Sequence, residues 1–280
     1  MADAAATPRG DLRRRRRSAL LLLSVLLVGG VPPAAAAESL VPGSFAFAAA
    51  PQRCIGGAAF ARARDVAVGR PGTVAFAVLE RGRLQSFRGA VPLRSASLVK
   101  AMLLAADLRS HAAARAPLTA TDRIRLRRMI TVSSNRAATQ TFGAVGGAAA
   151  LGRLARAAGM RHFSVGGHWS SARLTAADQA RFWRRLETLV PPAHRAFARG
   201  LLHGIVRDQT WGGARVARVA GFTTLFKSGW VKLDGGWIVH QGLRLERGPC
   251  TAGIAVLTAR QPTMSDGVTT IRRIVTELVG

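Results

Sequence analysis

The periodicity of the chain changes twice, and those changes limit the folds open to it. Thr73 to Glu80 and Arg83 to Phe87 are β-rich runs separated by Arg81-Gly82, which predicts a hairpin. The pattern then turns helical: a helix from Ser97 to about residue 114, then Thr121 to Met129, Arg136 to Phe142, Ala148 to Ala158, Thr175 to Leu189 with Thr175 as cap, and about Pro192 to Val206. Strands return from Thr223: Thr223 to Leu233, a turn at Asp234-Gly235, Trp237 to Glu246, a turn at Gly248-Pro249, and Thr251 to Thr258. A last helix, capped by Ser265 or Asp266, presents Val268, Ile271, Ile274, Val275 and Leu278 as its apolar face. Two strands, a block of helices, three strands and a helix predict an α+β fold. Its antiparallel sheet of about five strands is flanked by N- and C-terminal helices and interrupted by an all-helical region.

The first 37 residues belong to another class of segment. Arg13 to Arg17 form a basic start, Ala19 to Val28 an apolar stretch broken only by Ser24, and Ala35-Ala36-Ala37 a small-residue cleavage site before Glu38. This is the pattern of a cleaved secretory signal, and it predicts a secreted, extracytoplasmic protein. The apolar run is about half the roughly 20 residues a membrane-spanning helix needs, so an uncleaved anchor is the weaker alternative. No cysteine follows the run closely, which argues against a lipid-anchored start, and the arginines before Ser18 leave twin-arginine export open. The chain therefore divides into a signal (1–37), a lead-in (38–53) and a domain (54–280), whose α/β part is 54–96 and 207–280 and whose helical part is 97–206.

In an oxidising compartment an even cysteine count favours pairing, so Cys54 and Cys250 are expected to form a disulfide tying the start of the domain to its end. Formal net charge is +27; removal of residues 1–37 takes six arginines and two aspartates and leaves +23. Only Lys100, Lys227 and Lys232 are lysines, and the arginines are scattered. Scattered positive charge predicts attraction to polyanions such as an anionic cell-wall polymer, but with no aromatic platform or reading motif for specific nucleic acid.

Three short stretches carry chemistry. Ser97-Leu98-Val99-Lys100 puts a hydroxyl and an amine on one helix face, and a first-turn serine keeps its own N–H free. A nucleophile, a base and an oxyanion donor on one turn are what acyl transfer needs. Ser133-Ser134-Asn135 lies at a junction between helices, and Lys227-Ser228-Gly229 lies on the first strand of the C-terminal meander.

S-x-x-K, S-x-N and K-[ST]-G in this order resemble the penicillin-recognising serine hydrolases, the class A β-lactamases and D-alanyl-D-alanine peptidases, over roughly residues 54–280. The resemblance implies a β-lactamase/transpeptidase-like fold, a monomer needing no cofactor or metal, and a β-lactam or D-Ala-D-Ala-type peptide as substrate. It implies Ser97 as nucleophile, Lys100 as its base, Ser133 as proton relay, Asn135 as holder of the substrate amide, and Lys227 and Ser228 as ligands of the substrate carboxylate. Gly229 would let substrate lie close to the strand, and the N–H groups of Ser97 and Trp230 would form the oxyanion hole. The chain has no tyrosine, so Ser133 must hold the second motif's place. Gln209-Thr210-Trp211-Gly212 and Trp237-Ile238-Val239-His240-Gln241 add to the likeness; core packing is the plainer role for Trp237.

The chain also departs from the pattern. Class A β-lactamases carry a glutamate on the loop after the S-x-N helices that activates the deacylating water, whereas residues 136–177 contain no Asp or Glu. Asp178 and Glu187 follow on a helix, readable as a first-turn charge and a solvated face. The interval from Ser97 to Ser133 is short for the family, and Ser134 stands where it often has Asp. Acylation with slow deacylation is therefore expected. A D-alanyl-D-alanine carboxypeptidase and a non-catalytic cell-wall-binding protein of the same fold are the alternatives. The histidines (111, 162, 168, 194, 203 and 240) show no metal-ligand spacing.

Overall fold

A computed structural model describes residues 54–280, so the signal and lead-in expected over 1–53 lie outside the described residues. The chain runs through α1 (Gly57–Val68), β1 (Thr73–Glu80), β2 (Arg83–Phe87), β3 (Leu93–Arg94), a 3-10 turn (Ala96–Val99) and α2 (Lys100–Ala113). Next come α3 (Ala120–Thr131), α4 (Asn135–Ala144), α5 (Gly147–Ala157), β4 (Arg173–Leu174), α6 (Ala176–Leu189), α7 (Arg195–His203) and α8 (Gly212–Val219). The meander β5 (Thr223–Leu233), β6 (Gly236–Arg247), β7 (Cys250–Gln261) and the helix α9 (Met264–Val279) complete it.

The sheet is five-stranded in the order β2-β1-β7-β6-β5 and antiparallel throughout, so the early hairpin joins the late meander through β1 and β7. Alternation along the strands sorts its two faces. Gly242 on β6 admits the α6 side chain Trp183, whose indole takes the space a β-carbon would fill. Val239, of opposite parity, meets Gly267 at the start of α9. Thus α6 covers one face, while α1, α8 and α9 pack together over the other. The disulfide Cys54–Cys250 joins the lead into α1 to the start of β7. Beside it the buried Glu80 carboxylate accepts the N–H groups of Cys54 and Ile55.

Helix α2 is apolar nearly all round and is buried from Lys100 to Leu108, the central rod around which α3, α4, α5 and α7 gather. Thr119 and Asp122 form a reciprocal capping box on α3. Ser134 caps α4 by accepting the N–H of Ala137, so the serine standing where the family often has Asp does the work of a helix cap. Thr175 caps α6 as expected. The cap of α9 is Thr263, with Asp266 in the third helical position bonded back to the threonine hydroxyl; neither Ser265 nor Asp266 is the cap itself. Asp178 is more than a first-turn charge: it is fully buried and accepts the N–H groups of Arg161 and His162 at 2.8 and 2.7 Å, fixing the start of the loop that leads to β4. Glu187 does not face solvent alone but binds Arg199, which also grips Glu246.

Candidate active site

The site lies where the edge strand β5 meets the 3-10 turn Ala96–Val99. At three residues per turn, Ser97 and Lys100 stand in line along the axis. Ala96 takes a positive φ of 45° to enter that turn. The segment ahead of it is pinned by the small β3–β4 pair, by the Ser95 N–H bonded to Ala172 O at 2.8 Å, and by His240. The His240 ring is fully buried between two backbone groups. It receives the Thr258 N–H at Nδ1 (3.1 Å), so Nε2 carries the hydrogen and donates to Arg94 O (2.9 Å). Burial pushes its pKa down to about 4, so it is a neutral strut from β6 to the serine turn.

Gly229 is the contact between strand and turn. A β-carbon there would stand 2.7 Å from Leu98 N, 2.8 Å from Ser97 N and 3.1 Å from Ser95 O. The missing side chain of this glycine is thus what lets the strand and the serine turn lie against each other.

Lys100 is fully buried and its Nζ donates to three oxygens of the S-x-N motif: Ser133 O, Ser133 Oγ at 3.3 Å and Asn135 Oδ1 at 2.7 Å. Ser133 reaches it from the left-handed region, φ 60°, between the end of α3 and the cap of α4. Such a conformation in a non-glycine residue marks a place where surrounding structure holds strain. The indole of Trp169, buried and tied by its Nε1–H to Thr139 Oγ1, lies 4.9 Å from Lys100 Nζ and keeps water off that side. Desolvation lowers the Lys100 pKa to about 8. Lys227 is also fully buried and donates to Ser228 O at 3.0 Å. Desolvation first, then the charge of Lys100, brings its pKa to about 7. Ser228 Oγ receives the Gln241 Nε2–H at 3.0 Å, and Trp230 packs edge-on against Trp211 with centroids 5.9 Å apart.

The three motifs therefore converge: Lys100 bonds Ser133 and Asn135, the Ser97 turn rests on Gly229, and Lys227 feels the charge of Lys100. Trp169, His240 and Gln241 support the site without having been assigned a part in it from sequence. The only signal was the His240-Gln241 pair on a strand beside the K-S-G strand.

Neither a family model nor a curated protein matches the chain. Solved structures do. An ancestral class A β-lactamase superposes with TM-score 0.64 at 19% identity, covering 79% of this chain and 98% of that one. A β-lactamase from Sphaerobacter thermophilus DSM 20745 gives TM-score 0.67 at 19% identity over 80% and 96%. The chain has the β-lactamase-like fold. A structure titled PBP-A shares this β-lactamase-like architecture at TM-score 0.64 and 15% identity, over 79% and 94% of the two chains.

Proposed function

We propose that the chain is an exported serine hydrolase that forms an acyl-enzyme on Ser97 with β-lactams or related amides and releases it slowly. The observation that carries this reading is the desolvated Lys100 amine, one 3-10 turn from the Ser97 hydroxyl and bonded to both polar residues of the second motif. An amine with a pKa near 8 is in part neutral at physiological pH and has a lone pair for the serine proton. Ser97 Oγ then bonds to the carbonyl carbon, and the N–H groups of Ser97 and Trp230 receive the oxyanion. The C–N bond breaks as Ser133 passes a proton to the leaving nitrogen. Asn135 holds the substrate amide; Lys227 and Ser228 hold its carboxylate. The loop from α5 to β4 lays the Trp169 ring beside Lys100, and residues 136–177 have no carboxylate to activate a water. That combination favours a long-lived ester. The missing carboxylate also favours a second reading, a D-alanyl-D-alanine peptidase. The signal-like first 37 residues and the Cys54–Cys250 disulfide support extracytoplasmic residence.

The reading sets a pH dependence. The base must be deprotonated, so the acylation rate constant should rise with pH through about 8, the pKa of Lys100. The carboxylate ligand must be protonated, so affinity for a penicillin should fall as pH rises beyond about 7, where Lys227 loses its charge in the free protein. Rapid-quench labelling at saturating and subsaturating penicillin from pH 6 to 10 separates the two trends. A saturated rate flat across that range contradicts the assignment of Lys100 as base.

A further inference from the structure

We infer that Gln241 is the positioning residue for the carboxylate end of the site, fixing the Ser228 hydroxyl as a donor toward substrate; this rests on the acyl-enzyme reading above. Gln241 stands opposite Ser228 in the β5–β6 register, with its side chain fully buried. Its Oε1 accepts the N–H of Ala214 at 3.0 Å. Its Nε2 donates to Trp211 O and to Ser228 Oγ, each at 3.0 Å. The partners fix which way the amide faces: a backbone N–H can only donate and a backbone carbonyl can only accept, so the two ends cannot exchange.

That orientation decides what Ser228 can do. A hydroxyl has one hydrogen, and with Gln241 donating to the oxygen, that hydrogen is left for a third atom. Next to the Lys227 amine, such a donor selects an anionic acceptor, whereas a freely rotating hydroxyl would accept or donate equally well. The same amide also donates to the Trp211 carbonyl at the start of α8, a bond that anchors the Gln241 side chain itself. Gln241 thereby sets the carboxylate end of the site without touching substrate.

The test uses the full chain carrying Gln241→Glu, which keeps an acceptor for Ala214 N–H but loses both donated bonds and presents an oxygen that captures the Ser228 hydrogen. Two probes of Ser97 are compared: a labelled penicillin with its free carboxylate, and a fluorophosphonate with none. The expected result is a rise of about tenfold or more in the penicillin concentration giving half-maximal acylation rate, with the maximal rate and the fluorophosphonate rate within about twofold of wild type. Gln241→Met, which fills the same space and donates nothing to Ser228, should show the same penicillin-specific loss, and it serves as the readout if Gln241→Glu does not fold. Equal loss with both probes, or no loss with either, overturns the inference and leaves the acyl-enzyme reading standing. A wild-type chain that neither probe labels sinks both together.

Discussion

Replacing Lys100 with methionine should slow acylation of Ser97 by a labelled penicillin by roughly 10²–10⁴-fold, the range a positioned general base supplies. Methionine suits the test because it is unbranched and of similar length, so it fills the slot between α4 and Trp169 without leaving a cavity. The buried amine also costs stability at neutral pH. Its folded pKa of about 8 lies below the ordinary 10.5, so the unfolded chain binds more protons between those values, and stability rises as pH climbs through them. Methionine removes that penalty together with the bonds to Ser133 and Asn135. The variant should therefore stay folded by circular dichroism while losing activity. Lys100→Arg should not rescue, since a guanidinium does not give up its proton near neutral pH. Acylation of Lys100→Met within tenfold of wild type would mean that another group takes the serine proton.

Gly229→Ala should damage both the fold and the chemistry of the site. The added carbon meets three backbone atoms of the serine turn at 2.7 to 3.1 Å, and backbone cannot turn aside as a flexible side chain can. Either β5 moves out from the sheet edge or the turn shifts. Overpacking of this kind costs ~1–3 kcal/mol, which for a domain of this size lowers the melting temperature by about 2–12 °C. The chemical loss should be larger in proportion, because a shift of about 1 Å between nucleophile and oxyanion donors can cost ~10²-fold in rate. Calorimetry and labelling kinetics on one preparation test both parts. An unchanged melting temperature with an unchanged rate would show that strand and turn are not in the register described.

The strands were legible because each is bounded by a turn that the residues themselves specify. Arg81 and Gly82 both adopt positive φ between β1 and β2, and Asp234-Gly235 separates β5 from β6. The S-x-N stretch was legible because it sits at a junction between helices that periodicity already marks, and the K-S-G stretch because it lies within a strand whose ends are marked. Helix α8 was not: it opens on Gly212-Gly213 and contains Val216 and Val219, poor helix formers, and its support comes from α9 packed alongside. The pair β3–β4 is two residues long in each strand, too short to show any period.

Within the site, the parts of Trp169, His240 and Gln241 depend on partners remote in sequence. His240 braces Arg94 across 146 positions, and nothing local to either residue announces the bond. The resemblance likewise could not show that Gly229 lies against the serine turn, because that is a property of two segments meeting.

Intact-mass analysis of the protein after incubation with a penicillin, followed by peptide mapping, tests the central claim most directly. The account predicts one penicilloyl group per chain, mapped to Ser97, persisting for many minutes after excess drug is removed, and absent from Ser97→Ala. Rapid drug hydrolysis with no adduct, or an adduct on any other residue, would contradict it.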